Sequence, residues 1–402
     1  PIMNSSKAPL PLEGIRVLDL GNFMAGPMAA TWLGDFGAEV IKVEHPRGDG
    51  VRHWGQTKNG DPLYWKMLSR NKRCITLNLS RPEGQALLKR LVEHTDVLIE
   101  NFTPGTMREW GLSYEDLSAA NPKLVMLSIS AYGQTGPYSL RPGFGTLAEA
   151  MSGYAFINGQ EDGPPTLPSF GLADGIAGLN GAFGVLIALR HRDFSGKGQH
   201  VDTALYEPLL TILGPQIIEF DQLGLVQQRL GSRLPFSAPR NVYETKDKKW
   251  LSMSSSAQSV FERTMHAIGK PQLIKDARFL DNRLRGINHI EIDAEIGAWC
   301  AEHTLEEAMK ILVQHEAAAA PVYSVAEVVS DPHFTERESI VSIDDPSLGK
   351  VRMQAPFPRL SETPGRLRFT GPALGEHNQL IYSSVVGLSL EEIDSLRSRG
   401  II

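Results

Sequence analysis

One carboxylate has the surroundings that a nucleophile needs. Asp174 lies within the segment 168–178 among glycines and small apolar residues, just before a stretch that predicts a helix hydrophobic nearly all round. Gly171, Gly175 and Gly178 would let a bulky ligand approach it, and the N-terminus of a helix would hold the carboxylate ionised and oriented. Aspartate is also a favoured N-cap residue, so capping alone would explain its position. The residues by themselves leave both interpretations open.

The common signatures of cofactor and metal sites are absent from the sequence. The segment 195–198 lacks two features of a P-loop, and the turn at 21–27, after the first predicted strand, is not a GxGxxG fingerprint. There is no GxSxG elbow and no HExxH pair. Cys74 and Cys300 lie far apart, so neither a disulfide nor a zinc site is predicted. We therefore expect no metal and no tightly bound cofactor.

Composition limits the partners. The 402 residues carry a net charge of −6, which argues against nucleic acid or an acidic membrane surface as a partner. The chain starts without an apolar signal region, and its longest apolar stretch, 176–189, is too short to span a bilayer, so a cytoplasmic protein with a buried helix is expected. A small polyanion would need only a local cluster of cations. Such a cluster is available at Lys66, Arg70, Lys72 and Arg73.

The elements that must position these groups alternate between strand and helix in the first half of the chain. Predicted strands cover 14–20, 39–44, 74–79, 96–100 and 124–129, with helices at 25–36 and after a capping box at Ser80 and Glu83. This alternation predicts an α/β fold with a Rossmann-like, doubly wound parallel sheet. Ligands of such sheets bind beyond the carboxyl ends of the strands. The loops there are 21–27, 45–52, 101–105 and 130–137.

The pattern of predicted strands and helices changes near residue 225. We predict a large Rossmann-like, ligand-binding domain at 1–224, a smaller α+β domain at 225–330, and a connector and C-terminal segment at 331–402 that returns to the large domain. The smaller domain is predicted to contain a hairpin over 241–254 and helices over 258–269, 288–303 and 305–314. Capping boxes are predicted at Thr304 with Glu307 and at Ser389 with Glu392.

Fragments spread along the whole chain resemble the family III (CaiB/BaiF-type) CoA-transferases. In order they are PLEGIRVLD at 11–19, AGP at 25–27, LGDFGAEVIKVE at 33–44, NKR at 71–73, ENF at 100–102, PG at 104–105, YGQTGP at 132–137 and LGEH at 374–377. Each fragment alone is common, whereas their collinear order over 402 residues is specific. The resemblance implies that Asp174 is the catalytic aspartate. It also implies an interlocked homodimer of ring-shaped monomers, with coenzyme A and acyl-CoA as substrates.

The resemblance further implies which residues contact coenzyme A. The expected contacts are Met24, Ala25, Ile75, Leu77, Asn101, Phe102 and Tyr132. Departures from the family pattern at His45, Thr103 and Glu109 leave open which residues hold the phosphates. Four cations could take that role: Arg47, Arg52, Lys72 and Arg73.

A CoA-transferase needs only one carboxylate. Asp174 would attack the donor thioester to give an acyl-aspartyl anhydride, and the released thiolate would return to form an aspartyl-CoA thioester, from which the acceptor acid takes the CoA. Backbone N–H groups of nearby glycines could stabilise the oxyanions. At the level of the family, succinyl-CoA is the expected donor and a C4–C6 dicarboxylate the expected acceptor. The particular acids and the pathway are not specified by the sequence.

Other functions are weighed against this one. An acyl-CoA racemase of the same superfamily needs a histidine as second base, and Phe144 stands in its place. A formyl-CoA enzyme is disfavoured because 252–256 is serine-rich where that group has glycines. The hypothesis of a nicotinamide oxidoreductase is supported only by the predicted parallel sheet. A non-catalytic acyl-CoA-binding protein would need no carboxylate at Asp174. Glu149 is left open as a substrate contact.

Overall fold

The structure is a computed structural model that describes residues 9–402. By its internal contacts the chain divides into two units. The first unit contains the chain up to Tyr154 together with Leu167–Gly214 and Thr335–Ile402, and the second contains Ala155–Thr166 and Pro215–Phe334. The C-terminal segment therefore belongs to the same unit as the N-terminal half.

Thirteen strands occur in the described residues. They are β1 Arg16–Asp19, β2 Glu39–Glu44, β3 Thr57–Lys58, β4 Asp61–Pro62, β5 Lys72–Thr76, β6 Val97–Glu100, β7 Val125–Ser130, β8 His200–Ala204, β9 Arg240–Glu244, β10 Trp250–Ser254, β11 Ala319–Pro321, β12 Ile340–Asp345 and β13 Gly349–Gln354.

The α-helices of the described residues number eighteen. They are α1 Ala25–Asp35, α2 Leu63–Leu68, α3 Pro82–Val92, α4 Thr106–Glu109, α5 Tyr114–Ala120, α6 Gly145–Met151, α7 Tyr154–Ile157, α8 Leu172–Ser195, α9 Tyr206–Thr211, α10 Gln216–Leu223, α11 Gln258–Ala267, α12 Asn282–Ile287, α13 His289–Glu302, α14 Leu305–Gln314, α15 Val325–Ser330, α16 Pro332–Glu336, α17 Asn378–Ser384 and α18 Leu390–Ser398. Two short 3₁₀ helices cover Gly50–His53 and Pro271–Lys275.

A six-stranded parallel sheet organises the first unit. Its strand order is β5-β2-β1-β6-β7-β8, the doubly wound order in which the direction of winding reverses between β1 and β6. A crevice forms at this switch point because the loops after the two strands diverge there. The predicted fold class, a doubly wound α/β sheet with a smaller antiparallel part, is confirmed.

The side chains of alternate strand residues pack into two hydrophobic cores, one on each face of the sheet. Val17 and Val40 point to the face that α1 and α8 cover, whereas Leu18 and Ile41 point to the face covered by α3, α17 and α18. Strands buried on both faces read as continuous apolar runs, which is why the sequence signals them clearly. The C-terminal pair Ile401 and Ile402 is buried in the second of these cores.

The second unit is built around an antiparallel sheet of order β11-β10-β9. The helices α11, α13 and α14 provide its core residues, among them Phe261, Ile296 and Leu312. The hairpin predicted over 241–254 is confirmed as β9 and β10. The three helices predicted after it correspond to α11, α13 and α14, each within two residues of the predicted bounds.

Two of the three predicted capping boxes are confirmed. Thr304 with Glu307 opens α14, and Ser389 with Glu392 opens α18. The box predicted at Ser80 is wrong, because α3 has Arg81 as its N-cap residue. The Ser80 hydroxyl instead donates a hydrogen bond to Asn78 Oδ1 at 2.6 Å, a local turn bond that competes with capping.

The helix α8 is longer than its apolar stretch suggested. It has 24 residues, and it is the one helix in the described residues that is long and apolar enough to cross a membrane by length and composition. Core helices of water-soluble proteins meet the same criteria, and one face of α8 packs on β7, β8 and α1. The expectation of a buried helix is confirmed for this face only. The opposite face exposes large apolar side chains at Leu179, Phe183, Leu186, Ile187 and Phe194.

Candidate functional site

The candidate nucleophile, Asp174, lies in the first turn of α8. This helix begins at Leu172 with Gly171 as its N-cap residue, so the interpretation of Asp174 as a capping residue is wrong. Its carboxylate is half-buried and accepts a hydrogen bond from its own backbone N–H. Burial raises the pKa of Asp174 to about 6, while that backbone hydrogen bond opposes the shift. The group is therefore mostly ionised at neutral pH and poorly solvated, as a carboxylate nucleophile requires.

A cavity of about 280 Å³ opens in front of this carboxylate. It lies at the carboxyl ends of β1, β6 and β7, beside the switch point of the sheet. Its lining contains Asn22, Phe23, Met24, Ala25, Asn101, Phe102, Thr103, Ile129, Ser130, Ala131, Pro142, Gly143, Phe144, Asp174 and Leu205. The structure thus brings five predicted site residues to one cavity: Met24, Ala25, Asn101, Phe102 and Asp174.

Two glycines make room for the carboxylate and its neighbour. A Cβ atom on Gly145, the first residue of α6, would overlap Asp174 Oδ2. A Cβ atom on Gly171 would overlap the side chain of Met24 and would lie 3.6 Å from Asp174 Oδ2. Glycine at both positions therefore allows α6, the loop after β1 and the start of α8 to approach one another around Asp174.

The glycines that follow Asp174 do not share one role. Gly175 has open space where a side chain would be, in agreement with the prediction that it leaves room for a ligand. Gly178 is buried, and a Cβ atom there would lie 3.0 Å from the backbone oxygen of Ala25 in α1. Gly178 therefore permits the close packing of α1 on α8 and does not face a ligand.

Two further groups feel the charge of Asp174. Glu149 is 3% exposed, and its Oε1 accepts a hydrogen bond from the backbone N–H of Ala173 at 3.5 Å. Burial, and then the negative charge of Asp174, raises the pKa of Glu149. The same two causes raise the pKa of Tyr64, in α2. Glu149 does not line the cavity but supports the first turn of α8. No pattern in the sequence indicated that Tyr64 would lie near Asp174.

Asn101 joins the two loops that flank the switch point. Its Oδ1 accepts a hydrogen bond from the backbone N–H of Asn22 at 2.7 Å, and its Nδ2 donates to the backbone oxygen of Asn22 at 2.7 Å. Each end of the side-chain amide therefore makes one hydrogen bond within the protein. The side chain of Asn101 fixes the shape of the crevice, and its second N–H and second oxygen lone pair are still able to contact a ligand.

The structure does not bring Lys72 and Arg73 to this cavity. Lys72 is completely buried, and its Nζ lies 2.9 Å from Asp19 Oδ2 and 2.7 Å from the backbone oxygen of Pro27. Arg73 pairs with Glu39 at 2.8 Å, at the start of β2. Lys72 has no surface to offer a phosphate, so its predicted phosphate contact is corrected to a structural role beneath the loop after β1.

Other predicted contacts lie in the core or behind the cavity wall. The side chains of Ile75 and Leu77 are 0% and 1% exposed and belong to the hydrophobic core under α3 and α17, so a contact of either residue with coenzyme A would have to come from its backbone. Tyr132 is half-buried and packs edge-on against Tyr138. It stands behind Gly143, where a Cβ atom would lie 3.3 Å from the Tyr132 ring.

Arg47 and Arg52 were the other two cations predicted to hold the phosphates of coenzyme A. Of these, Arg52 is already engaged in contacts within the protein. It donates two hydrogen bonds of 2.7 Å to the carboxylate of Glu44, and its guanidinium lies 3.6 Å from the centre of the Trp65 ring. Arg47 is exposed and contacts only His45 at 3.4 Å among the interactions of the described residues. Arg47 is therefore the better candidate of the two for an incoming phosphate.

Sequence reasoning missed Ser130, the last residue of β7. It is 6% exposed, it lines the cavity with Asp174, and its hydroxyl has no hydrogen-bond partner among the described residues. The available signal was a polar residue at the carboxyl end of a buried parallel strand, immediately before the loop at 130–137.

The fold and the site together define an α/β protein with one accessible, ionisable aspartate at the switch point of a doubly wound sheet. The chain belongs to the CoA-transferase family III, whose family model matches residues 12–378. The family predicted from the sequence motifs is thereby confirmed.

Several relatives match nearly the whole chain. The succinyl-CoA–D-citramalate CoA-transferase of Chloroflexus aurantiacus is 44% identical over 402 residues, which is 100% of both chains. The beta subunit of succinyl-CoA–L-malate CoA-transferase from the same organism is 41% identical, again over 100% of both chains. The succinate–glutarate CoA-transferase of Agrobacterium fabrum is 34% identical over 93% of this chain and 96% of its own.

Solved structures agree with this assignment. The crystal structure of a CaiB/BaiF family protein from Brucella suis has a TM-score of 0.83 and 32% identity, and the match covers 94% of this chain and 100% of that one. A protein from Mycobacterium tuberculosis has a TM-score of 0.82 and 29% identity, with 93% of this chain and 99% of that one covered.

Proposed function

We propose that this chain transfers coenzyme A from succinyl-CoA to a C4–C6 dicarboxylate acceptor, with Asp174 as the nucleophile. The observation that carries the proposal is the Asp174 carboxylate, which faces the cavity, has no side-chain hydrogen-bond partner among residues 9–402 and has a pKa raised to about 6 by burial. Such a group is ionised at neutral pH yet only weakly stabilised, so it can attack a thioester. The named activities of the relatives supply the choice of donor and acceptor.

The reaction proceeds by exchange of acyl groups on Asp174. A carboxylate oxygen of Asp174 attacks the thioester carbonyl, and the tetrahedral intermediate expels the CoA thiolate to leave a mixed anhydride. The thiolate then attacks the aspartyl carbonyl and releases the donor as a free carboxylate. The acceptor carboxylate attacks the resulting aspartyl-CoA thioester, and the thiolate attacks the new anhydride at the acceptor's carbonyl. The product acyl-CoA leaves and Asp174 is regenerated, with no net uptake of a proton.

The cavity wall supports transfer over both hydrolysis and racemisation. Most of its residues are apolar, among them Phe144, Ala131 and Leu205, and exclusion of water protects an activated acyl group. Phe144 lines the cavity that holds Asp174. Since phenylalanine cannot exchange a proton, the cavity lacks the second base that a racemase would need at this position.

Coenzyme A contacts in this proposal come from the crevice at the switch point. Met24 and Ala25 line it at the start of α1, and Asn101 and Phe102 line it after β6. The Phe102 ring is fixed edge-on to Trp110 with ring centres 5.3 Å apart, so it offers a rigid apolar wall. Arg47, exposed beyond β2, is the cation proposed to reach the phosphates.

We propose that the protein is a cytoplasmic homodimer. The support is the resemblance to a family of interlocked dimers, together with the exposed apolar face of α8, where Leu179, Phe183 and Leu186 follow a helical spacing. Because one relative functions as the beta subunit of its enzyme, a heteromer is the competing outcome. Light scattering of the purified chain would distinguish the two, since a stable dimer supports the proposal and a monomer contradicts it.

A screen of acyl-CoA donors against carboxylate acceptors, read by mass spectrometry of the acyl-CoA products, tests the function. We expect succinyl-CoA with C4–C6 dicarboxylates to give the fastest formation of a new acyl-CoA. Monocarboxylate acceptors of equal length provide the matched control. Formation of no new acyl-CoA with any donor–acceptor pair, or transfer in which Asp174→Ala matches the unmodified chain, would overturn the proposal.

A further inference from the structure

One residue of the cavity lining has an unusual backbone conformation. Phe23, in the loop after β1, has a φ of +60°, which lies in the left-handed region that bulky side chains rarely adopt. Every other non-glycine residue with a positive φ in the described part of the chain is polar. Such a conformation is unfavourable and persists only where the surrounding contacts hold it in place. The contacts of Phe23 therefore show what this turn is built to do.

The turn at Phe23 directs the next residue, Met24, towards the candidate nucleophile. Both residues line the cavity that contains Asp174. The side chain of Met24 reaches the start of α8, since a Cβ atom on Gly171 would lie 2.4 Å from Met24 Cε and 3.6 Å from Asp174 Oδ2. The ring of Phe23 packs on that of Trp54, with ring centres 4.7 Å apart. Because φ at Phe23 sets the direction of the following chain, a right-handed φ there would displace Met24 from this position.

A buried ion pair holds the turn from both sides. Asp49 is 3% exposed, and its Oδ1 accepts hydrogen bonds from the backbone N–H of Phe23 at 3.2 Å and of Val51 at 3.0 Å. Its Oδ2 lies 3.0 Å from Nζ of Lys42, which is 1% exposed. The same Nζ donates a hydrogen bond to the backbone oxygen of Gly21, two residues before Phe23. The acid therefore fixes the N–H side of the turn, and its lysine partner fixes the carbonyl side.

The lysine also keeps the Asp49 carboxylate charged. Burial would raise the pKa of Asp49, but the charge of Lys42 and the backbone N–H groups of Val51 and Phe23 lower it below its ordinary value. A charged acceptor makes a stronger hydrogen bond than a neutral one. Asp49 can therefore hold Phe23 in a conformation that the residue would not adopt by itself.

We infer that Asp49 is a positioning residue for the transferase reaction, because it holds Phe23 in the left-handed conformation that places Met24 beside Asp174. This inference rests on the proposed transferase function. Asp49 is not one of the residues that line the cavity, so it acts through the turn and not on the substrate. A displaced turn would leave the thioester carbonyl less well aligned for attack by Asp174. The cost of such misalignment appears mainly in kcat.

The test compares Asp49→Asn with Asp345→Asn. Asp345, at the end of β12, is a matched control because it is also 3% exposed, lies 2.9 Å from a lysine, Lys66, and accepts the backbone N–H of Ser347 at 2.9 Å. In each variant the single amide oxygen can accept from the backbone or from the lysine but not from both, so both proteins should lose heat stability. We expect Asp49→Asn to lower kcat about 30-fold, with the KM of the acyl-CoA donor raised by no more than about threefold. Asp345→Asn should leave kcat within about twofold of the unmodified chain.

A second measurement asks whether Asp49 acts through Phe23. Glycine adopts the left-handed conformation without a steric cost, so a chain with Phe23→Gly has less need of the holding contact. Phe23→Gly also changes the cavity wall, so its own kcat is the reference for the double variant. Adding Asp49→Asn to it should lower kcat less than about threefold, against about 30-fold in the chain that keeps Phe23.

Three results would overturn the inference and assign Asp49 to fold stability alone. They are an unchanged kcat in Asp49→Asn, an equal loss of kcat in Asp345→Asn, and an equal cost of Asp49→Asn with and without Phe23→Gly. Failure of the proposed function looks different, because the unmodified chain and Asp345→Asn would then also form no acyl-CoA product.

Discussion

Two carboxyl groups near the carboxyl edge of the sheet have a raised pKa for the same first reason, yet their surroundings differ. Burial raises the pKa of Asp174 to about 6 and that of Glu100 to about 7. Glu100 is 4% exposed. Its carboxyl group accepts a hydrogen bond from the backbone N–H of Phe102 at 2.8 Å and is also hydrogen-bonded to the Ser128 hydroxyl. Asp174 is half-buried and faces the cavity, and in the described part of the chain no side chain bonds to it.

The comparison shows that a perturbed pKa does not by itself identify a reactive group. Glu100 uses its oxygens to hold the loop that carries Phe102, and this loop forms one wall of the crevice. Asp174 leaves its oxygens available for a substrate. The nucleophile Asp174 differs from the structural acid Glu100 in its accessibility and in its unused hydrogen-bonding capacity. These two properties distinguish the groups better than the size of the pKa shift does.

The largest expected effect is the loss of turnover on removing the Asp174 carboxylate. Asp174→Asn keeps the shape of the side chain, and because Asp174 is not the N-cap of α8 it removes no capping bond. We expect kcat to fall at least about 1,000-fold, because every chemical step passes through this group. Binding of CoA, measured by calorimetry, should change by less than about threefold.

The matched acid-to-amide change at Glu100 should have a much smaller effect. Glu100→Gln retains an oxygen that can accept the Phe102 N–H, so the loop after β6 should keep its position. We expect kcat within about threefold of the unmodified enzyme, and a KM for the acyl-CoA donor raised by about three- to tenfold, since only the loop contact is weakened. If Glu100→Gln lost as much kcat as Asp174→Asn, the distinction between the two acids would be wrong.

The pH profile separates the two groups further. Asp174 must be ionised to attack, and its pKa is raised to about 6. The value of kcat/KM should therefore be constant above pH 7 and fall about tenfold per pH unit well below pH 6. Glu100→Gln should keep this acidic limb. A limb that moved or vanished in that variant would assign the titration to Glu100.

The smallest expected effect is a gain in stability. The folded-state pKa of Asp174, about 6, exceeds its ordinary value of 3.8, so the folded state holds the proton more tightly. The contribution of this group to the free energy of unfolding is therefore highest below pH 4 and declines as the pH rises to 6. At pH 7.5 Asp174→Asn should raise the free energy of unfolding by about 1–3 kcal/mol. Urea titrations should show this gain at pH 7.5 and not at pH 4.

Much of the fold could be predicted because its signals are local. The strands of the parallel sheet are buried on both faces and stand out as apolar runs, as β2 and β7 show. The edge strand β8 was missed because His200 and Asp202 are exposed and interrupt the pattern. The hairpin of β12 and β13 was missed because only Asp345 and Met353 of its strand residues are buried, and because it lies in a segment rich in proline.

The site could be predicted where a short segment or a collinear motif specifies a residue's role. It could not be predicted where that role depends on partners distant in the sequence. Asp174 stood out through its glycines and the helix beside it. The role of Lys72 depends on Asp19, which lies 53 positions away in the sequence. In the same way, no pattern around Ser130 reveals that its hydroxyl is unpaired, because pairing depends on loops contributed by three strands and α8.

The most direct test of the account is to locate the covalent intermediate. Succinyl-CoA should be supplied without an acceptor, followed by neutral hydroxylamine or borohydride and peptide mass analysis. An aspartyl-CoA thioester would react to leave a hydroxamate or a reduced, homoserine-like residue at Asp174, while Asp174→Asn and untreated enzyme would show neither. We predict a modification confined to the peptide that contains Asp174. A stable adduct on another residue, or none under excess donor, would contradict the central claim that this aspartate carries the acyl group and CoA during transfer.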